Sequence, residues 1–356
     1  MSKTDSNTWP GLGPKWGLIL ALFVLLFVFF ILDLLLGSVQ ISIGDVWASL
    51  WGSESAPRVE RNIIQKIRLP KALTAILVGA GLSVGGLQMQ TLFRNPLAGP
   101  SVLGISSGAS LGVALLMFVL GGSGAIWGFA NLEISGSSLL VLAASLGAAL
   151  IFFLILLLSY RIRDNVVLLI LGIMMGFITS SLVSIWQYFS DPGLIQDYLI
   201  WTFGSLGGVN SEQLLILGLC VGIGVFMAFL LSKALNMLLL GENYARGLGL
   251  NIQRTRIWII LSTSLLTGSI VGFCGPIGFI GIAVPHLTRS LFNTSDHRIL
   301  IPTSCLIGAI IMLGCDLIAQ LPGYSIALPI NAVTALIGAP VVIAVILKRR
   351  NLQRSF

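Results

Sequence analysis

The chain has 356 residues, 56% of them apolar and 9% charged, with a formal net charge of +7. Ordinary soluble domains carry about 25% charged residues, so this composition excludes a fold that covers itself against water. The basic residues lie at the edges of apolar runs instead of forming a stripe with interleaved aromatics, which excludes a nucleic-acid surface.

Apolar runs of about 18 or more residues match the hydrocarbon thickness of a bilayer, and they recur along nearly the whole chain. They predict an all-α polytopic membrane protein with about ten spans, near 16–36, 72–92, 103–121, 136–159, 166–186, 212–231, 257–274, 276–291, 301–319 and 329–347. One membrane domain then covers 16–348, between short tails at 1–15 and 349–356. The first run follows Lys3 and Lys15 as a signal peptide would, but it is too long for a signal core and no small-x-small cleavage site follows Asp33. It is read as a retained span. Gly172 with Gly176, Gly218 with Gly222, and Gly268 with Gly272 put small residues on one helix face, the pattern of a close packing seam in lipid.

Basic residues also orient the chain, because cytoplasmic loops collect them. With the N-terminus cytoplasmic and ten spans, both termini are inside and fifteen of the twenty lysines and arginines fall on inner segments. The other five, Arg58, Arg61, Lys66, Arg68 and Lys71, share the single loop between the first two spans. A positive cluster on the outer face suits lipid headgroups or an acidic partner protein, and the loop is too short to be a domain of its own.

Two stretches read as broken or re-entrant backbone: Asn95-Pro96-Leu97-Ala98-Gly99-Pro100, and Gly275-Pro276-Ile277-Gly278 with Pro285. Proline removes a backbone donor, so such stretches survive at membrane depth only inside protein or along a watery cavity. Their presence in both halves suggests an internal repeat of the transporter kind. The long inner connection, 233–256, has a polar middle flanked by apolar residues and predicts one or two short amphipathic helices.

No G-x-x-x-x-G-K-[ST] phosphate loop occurs, so transport would be driven from outside this chain or by an ion gradient. Two G-x-S-x-G matches, Gly81 to Gly85 and Gly104 to Gly108, raise an intramembrane serine hydrolase with His286, but they lie in glycine-rich helical runs rather than at a strand-to-helix elbow. No catalytic residue is assigned. His286 and His297 lack ligand-spaced partners, and Cys220, Cys274, Cys305 and Cys315 lack a zinc or redox spacing, so no metal site is expected. Asp316, deep in the ninth span, and Asp33 are too few for an ion-coupled carrier, which stays the alternative.

In chain order, Arg68-Leu69-Pro70-Lys71, Gly79-Ala80-Gly81-Leu82, Gln88-Met89-Gln90 and Asn95 to Pro100 with Leu103-Gly104 resemble the amino-terminal signature of the FecCD family. The second half is similar too: Trp201 with Gly204-Ser205-Leu206, Gly241-Glu242 with Ala245-Arg246 and Leu248-Gly249-Leu250, Gly275 to Gly281, Pro285-His286 with Arg289, Asp296-His297-Arg298, Leu328-Pro329-Ile330, and Thr334-Ala335 with Gly338-Ala339-Pro340.

The resemblance implies the permease subunit of a type II ABC importer in the inner membrane. Its substrate would be a metal chelate brought by a binding protein: a ferric siderophore first, with haem or cobalamin next. It further implies a homodimer with two ATPase subunits, which would hold the ATP and Mg, this chain carrying no cofactor. Gly241, Glu242, Ala245, Arg246, Leu248 and Gly249 would couple to the ATPase. Arg68 and Lys71, helped by Arg58, Arg61 and Lys66, would dock the binding protein. Asn95, Pro96, Gly99, Pro100, Trp201, Gly204, Ser205, Gly275, Pro276 and Pro285 would be pathway or helix-break positions. Gln320 and Ala327 depart from the arginine and glutamate of many relatives, which leaves one docking contact of the family open here.

Overall fold

A computed structural model describes residues 16–37, 39–51, 57–120, 136–162, 164–321 and 327–353, without the side chains of 136–137, 345–346 and 348–353. The tail 1–15, Arg163 and residues 354–356 lie outside the described residues.

α1 (Trp16–Leu35) is an apolar helix with only a few buried positions. α2 (Ile43–Leu50) is short, and the Ser42 hydroxyl caps it by accepting from the Asp45 N–H at 3.2 Å. α3 (Arg58–Ile63), a wider turn at Ile64–Arg68 and α4 (Leu69–Leu92) form one continuous run of 35 residues. At 1.5 Å per residue that is about 50 Å, against about 30 Å of hydrocarbon. Its first turns therefore stand clear of the lipid core.

A non-helical stretch and a tight turn at Pro100–Leu103 lead to α5 (Ile105–Ala114), which widens through Leu115–Leu120. α6 (Gly136–Arg161) and α7 (Asn165–Tyr188) follow. Asp164 starts α7 by accepting from the Val166 N–H at 2.7 Å. α8 (Pro192–Thr202) precedes α9 (Ser211–Leu230), which opens with a reciprocal Asn210 and Gln213 capping box. α10 (Ser232–Leu239) and α11 (Glu242–Gly247) fill the predicted amphipathic connection. α12 (Ile252–Cys274), α13 (Ile280–Phe292), α14 (His297–Ala319) and α15 (Ile330–Gln353) complete the chain.

Seven helices are long and apolar enough to cross a bilayer, and no strand occurs among the described residues. The ten predicted spans map onto α1, α4, α5, α6, α7, α9, α12, α13, α14 and α15, but α13 has 13 residues and α5 only ten before it widens. Both follow a backbone break, which shortens them. The second break ends before α13; Pro285 lies inside that helix, buried, and does not interrupt it.

α4 is the axis of the bundle. In its most apolar window 78% of the residues are buried, against 17% in α1. It packs on α12, α13 and α14 through small residues, where a Cβ on Gly79 would fall 2.2 Å from the Gly308 carbonyl oxygen. α5 meets α6 in the same way: a Cβ on Gly112 would fall 2.0 Å from the Ala143 oxygen. Of the predicted seams, Gly172 and Gly272 are tightly packed, whereas a Cβ at Gly222 would meet nothing within 4 Å.

Candidate functional site

α11 is bracketed by glycines in the left-handed half of backbone space, Gly241 at φ +105° and Gly249 at φ +87°. Side chains rarely adopt such angles, so these two positions isolate a six-residue helix from its neighbours. Ala245 is buried beneath it, while Asn243, Tyr244, Arg246 and Leu248 point outward. Polar clefts flank the helix. One, of about 980 Å³, is lined by Arg94, Asp164, Asn165, Asn243 and Tyr244; the other, of about 460 Å³, by Ser159, Arg246, Asn251, Gln253 and Arg256. Glu242 lines both.

Glu242 is tethered. Its Oε1 accepts from Asn165 Nδ2 at 2.5 Å and lies 3.7 Å from Arg256 Nη2. Arg256 Nη1 also donates to the Ile162 carbonyl at 2.8 Å. The same Asn165 nitrogen donates to the Leu92 carbonyl at 3.0 Å.

The last turn of α4 therefore gathers three other elements. Gln90 Nε2 donates to the Ile282 carbonyl at 3.1 Å, and its Oε1 accepts from Arg289 Nη1 at 2.6 Å. Thr91 Oγ1 meets His297 Nε2 at 2.8 Å. On the other side of that ring, Asn236 Oδ1 accepts from the His297 backbone N–H at 2.9 Å and from Nδ1 at 2.7 Å, because Asn236 Nδ2 is spent on Asp296 Oδ1 at 2.7 Å. Burial pushes the Asp296 carboxyl up, but the Asn236 amide and the Arg298 N–H outweigh it and hold Asp296 below the ordinary carboxylate value.

The first predicted break packs on the start of α13, just past the second. Pro100 packs on both Gly85 and Gly281, Gly99 on Ile282, and His286 Nε2 bonds the Pro96 carbonyl at 2.7 Å. A Cβ on Gly86 would sit 1.7 Å from the Gly281 oxygen. Gly86 is six residues before the end of α4, so α13 starts about 9 Å inside the bundle and not at its end. Trp201, Gly204 and Ser205 join the far side of the second break: the Ser205 N–H donates to the Cys274 carbonyl at 2.8 Å, and a Cβ on Gly275 would lie 2.8 Å from the Trp201 oxygen. Asn331 Oδ1 accepts from the Gly278 N–H at 3.0 Å. Pro276 lines this contact with its carbonyl beside Gly204. None of the predicted pathway residues lines the apolar cavity of about 690 Å³ between α6, α9 and α12.

At the other end of the bundle the predicted docking residues divide. Arg58 and Lys66 are exposed and Arg61 is half-buried. Arg68 is 7% exposed; its Nη1 donates to the Leu34 and Leu35 carbonyls at 2.7 and 2.9 Å, and its Nη2 to the Val39 carbonyl. It closes the free carbonyl end of α1. Lys71 Nζ pairs with Asp316 Oδ1 at 2.9 Å. Gln320 Nε2 donates to Asp33 Oδ1 and to Asp316 Oδ2, both at 2.8 Å. The two intramembrane carboxylates are thus one buried cluster that ties α1, α4 and α14 together, and Gln320 is part of it. Ala327 is exposed.

The G-x-S-x-G matches carry no elbow. Ser83 lies inside α4 and donates to the Gly79 carbonyl at 2.6 Å, while Ser106 lies in the first turn of α5. Sequence reasoning missed Asn165 and Asn236 and named Gln90 only within a family signature, since nothing in their spacing points to partners between 60 and 200 residues away.

The model of the FecCD transport family matches residues 25–348. Over 337 residues the chain is 39% identical to the vitamin B12 import system permease protein BtuC of Klebsiella pneumoniae, covering 95% of each. It is 38% identical over 334 residues to BtuC of Salmonella typhi, covering 94% of this chain and 95% of that one. Among solved structures, a chain described as a metal-chelate type ABC transporter in an inward-facing conformation superposes with a TM-score of 0.80 at 30% identity, covering 93% of this chain and 99% of the other. PsaBC from Streptococcus pneumoniae, solved with a Fab, shares the fold at a TM-score of 0.51 and 14% identity, over 85% and 95% of the two chains. By sequence over nearly its whole length, the chain belongs to the FecCD transport family.

Proposed function

We propose that this chain is the membrane permease subunit of an ATP-binding-cassette importer for a metal chelate. The observation that carries the reading is near full-length similarity to vitamin B12 import permeases, 39% identical across 95% of both chains. Those relatives move cobalamin ahead of ferric siderophores and haem as the expected substrate. A separate ATPase supplies the energy, with ATP and Mg held there, and the reading for its contact is α11: a short helix isolated by two glycines between two polar clefts. Closure of the ATPase pair would shift α11 and tilt the helices tied to it, opening the pathway to one side at a time.

The remaining partners follow from the same reading. α7 exposes Phe177, Ile178 and Ile185, and α15 exposes Leu336 and Ile343; these faces suit a second copy of the chain, with the pathway between the two. The α11 end would face the cytosol with both termini, and the Arg58 end would face outward. With Arg68 and Lys71 committed to α1 and Asp316, the exposed cations left for an acidic binding protein are Arg58 and Lys66.

The test is reconstitution into proteoliposomes with the partner ATPase and the binding protein. Radiolabelled cyanocobalamin should accumulate only with ATP, faster than a ferric hydroxamate or haemin. Accumulation in ATP-free vesicles that follows a proton or sodium gradient overturns the reading.

A further inference from the structure

Three elements depend on a single nitrogen. Asn165, the first residue of α7, turns its Nδ2 to two acceptors, the Glu242 carboxylate on α11 and the Leu92 carbonyl that ends α4. Both partners only accept, so the amide must present its two hydrogens to them. Its Oδ1 is buried and has no hydrogen-bond partner among the described residues. Nothing else in the side chain competes with that double contact. Three residues earlier, Arg256 holds the Ile162 carbonyl at 2.8 Å while facing the same Glu242 oxygen at 3.7 Å. The bend between α6 and α7 is thus gripped from both sides, through Glu242.

Within one copy of the chain α7 packs along α5, with the seam of Gly172 against the Val102 carbonyl, and 22% of the residues in its most apolar window are buried. A displacement of α11 reaches α7 directly through its first residue. Because α4 is the most buried helix of the bundle, the Leu92 contact gives this joint a fixed point to turn against.

We infer that Asn165 is a positioning residue that carries movement of α11 into α7. The inference rests on the proposal that α11 meets an ATPase. It assigns the transmission step to a residue outside the α11 segment.

Replacing Asn165 by aspartate keeps size and shape but turns the donor into a carboxylate facing Glu242. The complete complex, with ATPase and binding protein in proteoliposomes, is assayed for radiolabelled cyanocobalamin moved per ATP hydrolysed. N165D should lower that ratio about tenfold or more, since both amide hydrogen bonds are lost and a second carboxylate faces Glu242. A residue that only stabilised the fold would change the melting temperature and leave the ratio alone. A native ratio in N165D overturns the inference. Should N165D fail to insert, N165A removes the donor without adding charge, and a native ratio there overturns it equally. If the unmutated complex shows no ATP-dependent uptake, the functional reading has failed instead.

Discussion

Lys71 and Asp316 form a pair whose worth is best measured by breaking it two ways. Removing one partner of a buried ion pair costs roughly 3 kcal/mol or more, because the other charge stays behind in the dry interior. K71M should therefore lower the melting temperature in detergent, and K71M with D316N should restore much of the loss; equal melting of the single and double variants would show that the pair is idle. Asp296 gives a pH test. Its folded-state value lies below its unfolded one, so its contribution is present above pH 3.8 and fades as pH falls through the lower folded value. D296N should flatten the acid side of a melting curve taken from about pH 6 to about pH 3. The sequence marks Asp33 and Asp316 as unusual by their apolar surroundings, but only the fold shows that Gln320 bridges them. Arg68 is the reverse: its motif suggests an outward role, whereas the guanidinium closes α1.

Among the helices, the length of the apolar runs made the spans legible, and proline with glycine marked both breaks. Sequence could not reveal that the first break packs on the start of α13, because Pro100 and Gly281 are joined by topology and not by any local pattern. The glycine seams divide for the same reason. Gly86 faces the Gly281 carbonyl, so a methyl group has nowhere to go and G86A should destabilise by about 1–3 kcal/mol or more. Gly222 faces open space, so G222A should be neutral or stabilise by up to about 1 kcal/mol through helix propensity. Thermal melting of both variants in one detergent checks the contrast; comparable losses would mean that the Gly86 contact is not close.

For the whole molecule, the exposed cations at the Arg58 end would set how an acidic partner approaches. Arg58 and Lys66 stand on turns beyond the lipid core, where attraction to an acidic protein is strong at low salt and screened at high salt. R58E with K66E should weaken capture of the binding protein most at low ionic strength, read by titration against the permease in nanodiscs. Affinity unchanged at low salt would remove these residues from docking.

α4 has a consequence for how the chain is made. It is the least apolar of the seven long helices yet the most enclosed, carrying Gln88 and Gln90 in its second half. The residues that sheathe it, near Gly281 and Gly308, are synthesised some 200 positions later. During translation this segment must wait beside the insertion machinery or other early segments, poorly suited to acyl chains, until its late-made companions arrive. A ribosome that stops before residue 280 would leave this helix covered by α12 but bare where α13 and α14 belong.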